Sequence, residues 1–248
     1  MAFLTCSTVS GALGKCFQYN VLIPDRHDEN TRVLLLLHGL SDDYTVWQRY
    51  TEIERFADAR GLCVIMPDGG RSFYTDMKYG PAYYTSIVRD VMQSARSIFN
   101  LTDKREKNFT AGLSMGGYGA LKIALKNPDM FAGCVSLSGV VDIAGRAESR
   151  LWEGDFSLIW GEDYYRTVRG SEDDIEALMD SYKGTDKKKP KIYSACGSSD
   201  FMIEDNRRFA DFLAKSDFVT KYEEFPGDHN WTFWNTHLCG GLDFIMAE

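Results

Sequence analysis

Hydrophobic and polar residues follow two periods along this chain, and the changes of period mark out its elements. Phe3–Val9 and Cys16–Ile23 read as strands, the second with Phe17, Tyr19, Val21 and Ile23 on one face. Gly11 and Gly14 mark the hairpin turn between them. Val33–Leu37 is a continuous apolar run, as expected of a strand buried on both faces of a sheet. Val46, Tyr50, Ile53 and Ala57 recur at helical spacing, and Gly61 ends that helix. Leu62–Met66 is the next buried strand, and Tyr84, Ile87, Val88, Val91, Ala95 and Ile98 outline a second helix. Asn108–Leu113 is a strand followed by a helix to about Lys126, which Asn127-Pro128 stops. Gly133–Ser138, Lys191–Ala195 and Thr220–Phe225 complete the strands, with helices over Glu204–Ala214 and from about Trp231.

This alternation predicts an α/β fold: a mainly parallel central sheet, helices on both faces, and the first two strands as an antiparallel edge. The 248 residues fit one domain. One interval is out of proportion. The 50 residues from 140 to 189 stand where a single crossover helix would suffice. They hold Trp152, Phe156, Trp160, Tyr164 and Tyr165, then an acidic helix over Glu172–Tyr182. An insertion of that length is expected to cap a site.

Charge narrows the class. With 28 basic and 36 acidic residues the formal net charge is −8, a poor match to nucleic acid or an anionic membrane. No apolar run reaches the roughly 18 residues of a membrane-spanning helix. The opening stretch lacks a basic region and a long apolar region, so no secretory leader is expected. Cys6, Cys16, Cys63, Cys134, Cys196 and Cys239 include no Cys-x-x-Cys pair and read as reduced core residues of a cytoplasmic protein. Asn100, Asn108 and Asn230 each head an Asn-x-Thr sequon, read as coincidence. No His/Cys cluster has metal-ligand spacing, so neither metal nor organic cofactor is expected.

The run Phe109-Thr-Ala-Gly-Leu-Ser-Met-Gly-Gly-Tyr-Gly119 carries the chemistry. It places Ser114 in Gly112-Leu-Ser-Met-Gly116, between a strand and a helix, which is the nucleophile elbow of an α/β-hydrolase. A Cβ at 112 or 116 would crowd so tight a turn, and the helix N-terminus behind Ser114 favours developing negative charge. A serine hydroxyl needs a base, and the base an orienting acid, in the chain order Ser, Asp or Glu, His. Of four histidines, His27 lies in a polar turn, His38 precedes Ser114, and His237 falls within the last helix. His229, in the loop after Thr220–Phe225, is the candidate base. Asp200, just past Lys191–Ala195, is the candidate acid; Asp205 and Asp142 are weaker rivals, and Asp228 reads as a turn former. The oxyanion of a tetrahedral intermediate requires amide donors: the N–H of Met115, and that of Leu40 in His38-Gly39-Leu40-Ser41-Asp42, where Gly39 lets the backbone approach the substrate.

With these residues in place, the chain resembles the tributyrin esterase group of the esterase D and S-formylglutathione hydrolase superfamily. The resemblance runs through Met-Ala-Phe-Leu4, Tyr19-Asn-Val-Leu-Ile-Pro24, Leu35-Leu-Leu-His-Gly-Leu-Ser41 and Tyr74-Thr-Asp-Met77. It continues in the elbow, in Cys196-Gly-Ser-Ser-Asp200 and in Gly227-Asp-His-Asn-Trp-Thr-Phe-Trp234. It implies a cofactor-free serine carboxylesterase for short acyl esters, with Ser114, Asp200 and His229 as triad and Leu40 and Met115 as oxyanion donors. It also implies that Tyr74–Met77 lies near the site, and it brings in acetyl xylan and feruloyl esters as substrates. His38, Gly39 and Tyr74 are expected to line the substrate site. Trp152, Trp160, Trp231 and Trp234 form an aromatic acyl site on the feruloyl reading, or else pack core and cap. The segments after His38-Gly-Leu and after His229 depart from S-formylglutathione hydrolases, which lowers the glutathione thioester reading. Acyl transfer, a catalytically inert binding module and homo-oligomers stay open.

Overall fold

A computed structural model describes residues 1–247. Eight strands form one sheet: β1 (Ala2–Ser10), β2 (Lys15–Ile23), β3 (Arg32–Leu37), β4 (Leu62–Pro67), β5 (Asn108–Leu113), β6 (Gly133–Leu137), β7 (Lys191–Gly197) and β8 (Thr220–Phe225). Their order across the sheet is β1-β2-β4-β3-β5-β6-β7-β8. β2 pairs antiparallel with β1 and with β4, and every pairing from β4 to β8 is parallel. The expected architecture is therefore present, and its parallel strands all end along the same rim.

The apolar run of β3 shows why such a strand needs no alternation. Val33, Leu35 and Leu37 join a core cluster with Tyr19, Val21, Ile65 and the helix after β5, α5 (Met115–Lys126). Leu34 and Leu36 point to the opposite layer, with Trp47 and with Leu238 and Leu242 of the last helix, α11 (Trp231–Met246). Both faces are covered, so both parities are apolar.

The helices depart from the sequence pattern in instructive ways. The first expected helix is two, α1 (Val46–Tyr50) and α2 (Ile53–Asp58). Thr51 Oγ1 donates to the Trp47 carbonyl and accepts from the Ile53 N–H at 3.2 Å, replacing helical bonds, and Glu52 N–H donates to Asn235 Oδ1 at 2.8 Å. The second runs from α3 (Tyr83–Thr85) through a π-helical stretch at Ser86–Val91 into α4 (Met92–Phe99). Asn108 is fully buried and its side-chain amide donates to the carbonyls of Thr102 and Lys104, so that sequon is indeed incidental. All six cysteines are free, but only Cys63, Cys134 and Cys196 are buried; Cys16 is exposed and Cys6 and Cys239 are half-buried, which corrects the expectation of six core residues. No described helix is long and apolar enough to cross a membrane.

Between β6 and β7 lie α6 (Ile143–Glu148), α7 (Glu153–Trp160), α8 (Tyr164–Thr167) and α9 (Ile175–Asp180). The acidic helix is shorter than expected because Asp173 and Asp174 have other work. Asp174 caps α9 through the Glu176 N–H, while Asp173 takes a buried ion pair. The partner is Lys122 of α5, fully buried, with Nζ 2.5 Å from Asp173 Oδ1 and 2.7 Å from Thr75 Oγ1. Trp160 Nε1 donates to Asp173 Oδ2 at 2.6 Å and the Tyr118 hydroxyl to the Asp173 carbonyl at 2.8 Å. Edge-to-face and tilted rings pack beside them: Phe73 lies 5.1 Å from Phe156, 5.5 Å from Trp152 and 6.1 Å from Tyr118. After β7 come α10 (Ile203–Lys215), β8 and α11.

Candidate active site

Ser114 stands at the hinge between β5 and α5 with φ 53° and ψ −117°, a left-side conformation that costs a non-glycine residue about 1–3 kcal/mol. The surroundings hold it there. Its N–H donates to the Leu137 carbonyl at 2.8 Å, and its own carbonyl accepts from Tyr118 N–H at 3.1 Å and Val140 N–H at 3.2 Å. The flanking glycines are a matter of space. A Cβ on Gly112 would sit 2.3 Å from the Gly116 carbonyl oxygen, and one on Gly116 the same distance from the Leu37 carbonyl oxygen. The elbow is thus pressed against the end of β3, where the second amide donor is expected.

Asp200 and His229 leave the ends of β7 and β8, neighbouring strands of the same rim. Nδ1 of His229 lies 2.9 Å and 3.0 Å from the two carboxylate oxygens of Asp200. The Asp200 side chain is fully buried, and Oδ1 also accepts from the Met202 N–H at 2.8 Å. Burial alone would push this carboxyl up. The hydrogen bond and charge of His229, then the Met202 amide and the Ser138 hydroxyl, outweigh it and hold the group below its ordinary value. A carboxylate on Nδ1 keeps the ring proton there and leaves Nε2 as the basic nitrogen. Nε2 has no hydrogen-bond partner among the described residues. The ring is wedged between Phe201, 4.5 Å away, and Trp234, edge-on at 5.0 Å. No hydrogen bond joins Ser114 to His229 among the described residues; such bonds are often long before substrate binds.

The third part is the segment His38-Gly39-Leu40. His38 is buried and both its ring nitrogens are engaged: Nε2 accepts from the Gly69 N–H at 2.8 Å, so Nδ1 carries the proton and donates to the Gly39 carbonyl at 2.7 Å. That carbonyl belongs to the same peptide unit as the Leu40 N–H. In a trans peptide the two point in opposite directions, so the imidazole aims the Leu40 N–H away from itself. Neither the Leu40 nor the Met115 N–H has an acceptor among the described residues. Tyr74 is likewise part of the frame: its hydroxyl donates to the His38 carbonyl at 2.9 Å, and its ring fills the space where a Cβ on Gly119 would lie, 2.3 Å away.

The four tryptophans fall into two groups. Trp152 and Trp160, with Phe156 of the same α7 segment in the β6–β7 insertion, pack against Phe73. Trp234 supports His229 and donates Nε1 to Ser138 Oγ at 3.1 Å. Trp231 stacks on Tyr50 and meets Trp47 edge-on, on the α1 side. Among the rival acids, Asp142 caps α6 through the Gly145 N–H and pairs with Arg169 and Arg208, Asp205 pairs with Arg146, and Asp228 accepts from the His229 N–H. None of these three contacts the imidazole ring. His237 stacks on Phe225 at 4.0 Å, and His27 bonds the Pro24 carbonyl. Sequence reasoning missed Ser138, a buried residue at φ 49° whose hydroxyl accepts from the Trp234 indole and helps hold the Asp200 carboxyl below its ordinary value. Its place just past the end of β6, on the site rim, was the available signal.

A model of the Esterase family matches residues 10–245. The acetyl esterase of Caldicellulosiruptor saccharolyticus is 35% identical over 233 residues, covering 89% of this chain and 85% of that protein. FphF, a fluorophosphonate-binding serine hydrolase of Staphylococcus aureus solved with substrate bound, superimposes with a TM-score of 0.91 at 35% identity, covering 100% of this chain and 99% of that one. The S-formylglutathione hydrolase FrmB of the same organism gives a TM-score of 0.88 at 35% identity, with 99% of both chains covered.

Proposed function

This chain belongs to the esterase family and is a serine carboxylic-ester hydrolase, and on that premise we propose that it cleaves short-chain acyl esters, acetyl to butyryl, through an acyl-enzyme formed on Ser114. His229 Nε2 takes the Ser114 proton as Oγ attacks the ester carbonyl. Asp200 holds the Nδ1–H tautomer and stabilises the imidazolium that forms. The oxyanion sits between the Leu40 and Met115 N–H groups, the second backed by the N-terminus of α5. His229 then protonates the departing alcohol, and water, deprotonated by the same nitrogen, releases the acid. The β6–β7 insertion acts as the cap over the acyl side, with Trp152 and Trp160 in its floor.

One observation carries this reading: a buried Asp200 carboxylate holds His229 so that a single basic nitrogen is left unpartnered on the rim where a strained serine is held. The acetyl ester is the favoured substrate because an acetyl esterase is similar over most of the chain. Ser114→Ala should lower p-nitrophenyl acetate turnover by about 10⁴-fold or more while circular dichroism stays unchanged. A folded variant with near-normal turnover would end the assignment. A thioester is the second reading, favoured by the equal identity to an S-formylglutathione hydrolase. Comparing kcat/KM for S-formylglutathione and p-nitrophenyl acetate separates the two.

A further inference from the structure

The turn from Asp68 to Tyr74 grips the oxyanion segment at successive points. The Gly69 N–H holds the His38 ring, the Tyr74 hydroxyl holds the His38 carbonyl, and Arg71 Nη1 reaches the Leu40 carbonyl at 3.4 Å. The two peptide units that flank the Leu40 Cα therefore each have their carbonyl engaged, the preceding one by His38 Nδ1 and the following one by Arg71. Together they fix both backbone dihedrals of Leu40, and with them the direction of its N–H.

Arg71 is itself held from elsewhere. Its Nε and Nη2 meet the two oxygens of Asp155 at 2.8 and 2.7 Å, a bidentate pair that leaves Nη1 aimed at Leu40. Asp155 lies in the first turn of α7, inside the β6–β7 insertion. Two main-chain bonds run alongside, Lys78 N–H to the Ile159 carbonyl and Tyr79 N–H to the Leu158 carbonyl. The His38 and Tyr74 links to the oxyanion segment are buried, whereas the Arg71 side chain is 54% exposed.

We propose that Arg71 is a positioning residue for the oxyanion hole and that Asp155 sets it, so that the placement of α7 is transmitted to the Leu40 N–H. This rests on the reading above in which Leu40 donates to the oxyanion. A substrate group that displaces α7 loosens the donor, and one that leaves α7 seated keeps it aimed. The pair thereby couples selection under the insertion to the chemical step.

The test measures kcat and KM for p-nitrophenyl acetate and for its thiono analogue, whose sulfur accepts hydrogen bonds poorly. Arg71→Met should lower kcat for the oxygen ester about fivefold, with KM changed less than about twofold. It should lower the oxygen-to-sulfur ratio of kcat/KM by a similar factor, which a loss of fold would not do. Asp155→Asn, nearly isosteric, should move both quantities in the same direction by less, and the double variant should be no worse than Arg71→Met. Arg207→Met, which breaks a similarly exposed pair with Glu224, should leave both quantities unchanged. An Arg71→Met or Asp155→Asn protein of unaltered melting temperature with wild-type kcat and ratio would overturn the positioning role. If those variants behave like wild type while Ser114→Ala is inert, only that role falls. If Ser114→Ala is active, the esterase reading falls with it.

Discussion

Two buried carboxylates in this molecule, Asp173 and Asp200, each hold a nitrogen partner, and the two arrangements are built to opposite rules. Lys122–Asp173 is closed on both sides: Thr75 accepts from the ammonium, Trp160 donates to the carboxylate, and the rings of Tyr118 and Tyr84 lie within 6 Å of the ammonium, at 5.5 and 5.7 Å. Asp200–His229 is saturated on the carboxylate side and left open at one nitrogen. Burial lowers the Lys122 pKa against the pull of Asp173, while burial raises that of Asp173 and Lys122, then Trp160, more than reverse it. The first pair fastens the insertion to the helix that follows Ser114. The second has an atom to spare for chemistry. A buried carboxylate held below its ordinary pKa is common to both, so the open nitrogen, and not the perturbation, is what sets the Asp200–His229 pair apart from the structural one.

The contrast can be broken from either side. The largest effect belongs to the open pair: Asp200→Asn should cost about 10⁴-fold in kcat through the wrong imidazole tautomer, with the melting temperature nearly unchanged, as read by steady-state assay and calorimetry. Lys122→Met should do the reverse. Leaving Asp173 buried without its cation should destabilise the protein by about 3–5 kcal/mol in urea titration, while kcat of the folded fraction falls far less.

The pH dependence sharpens the same point. Asp173 has a folded pKa below its ordinary value, so its contribution to stability is present above the unfolded value and lost as pH falls through the folded one. Lys122→Met removes that contribution at neutral pH, so the stability gap between variant and wild type should narrow below about pH 4. Equal gaps at pH 7 and pH 3 would show that the pair is not what the variant disturbs. The smallest effect is expected from Trp234→Phe, which keeps a ring against His229 but removes the bond to Ser138. It should cost about 1 kcal/mol of stability and change kcat by less than about tenfold.

The sheet was legible because strands covered on both faces run apolar without alternation, and Val33–Leu37 and Leu62–Met66 differ from the observed strands by at most one residue at either end. The elbow was legible because its glycines answer to contacts closer than any side chain permits. Thr51 escaped notice because its competition for helical bonds depends on where Trp47 and Asn235 lie. Lys122 read as one more lysine on a helix; nothing in Leu-Lys-Ile says that Asp173, fifty-one positions later, returns to meet it. His38 was expected to line the substrate site and is found buried, with both ring nitrogens bonded to backbone. A local motif records that an imidazole is needed, whereas its direction depends on Gly69 across a gap of thirty-one residues.

The backward-bent conformation of Ser114 has a consequence for how the protein fails. The hinge is kept in its unfavourable geometry by Leu137, Tyr118 and Val140 together. Once the surrounding frame slackens, nothing opposes relaxation of that backbone to an ordinary dihedral, which would carry the hydroxyl off the rim without any helix having to melt. Inactivation in mild denaturant should therefore run ahead of the loss of ellipticity, which makes turnover the more sensitive gauge of this molecule's integrity.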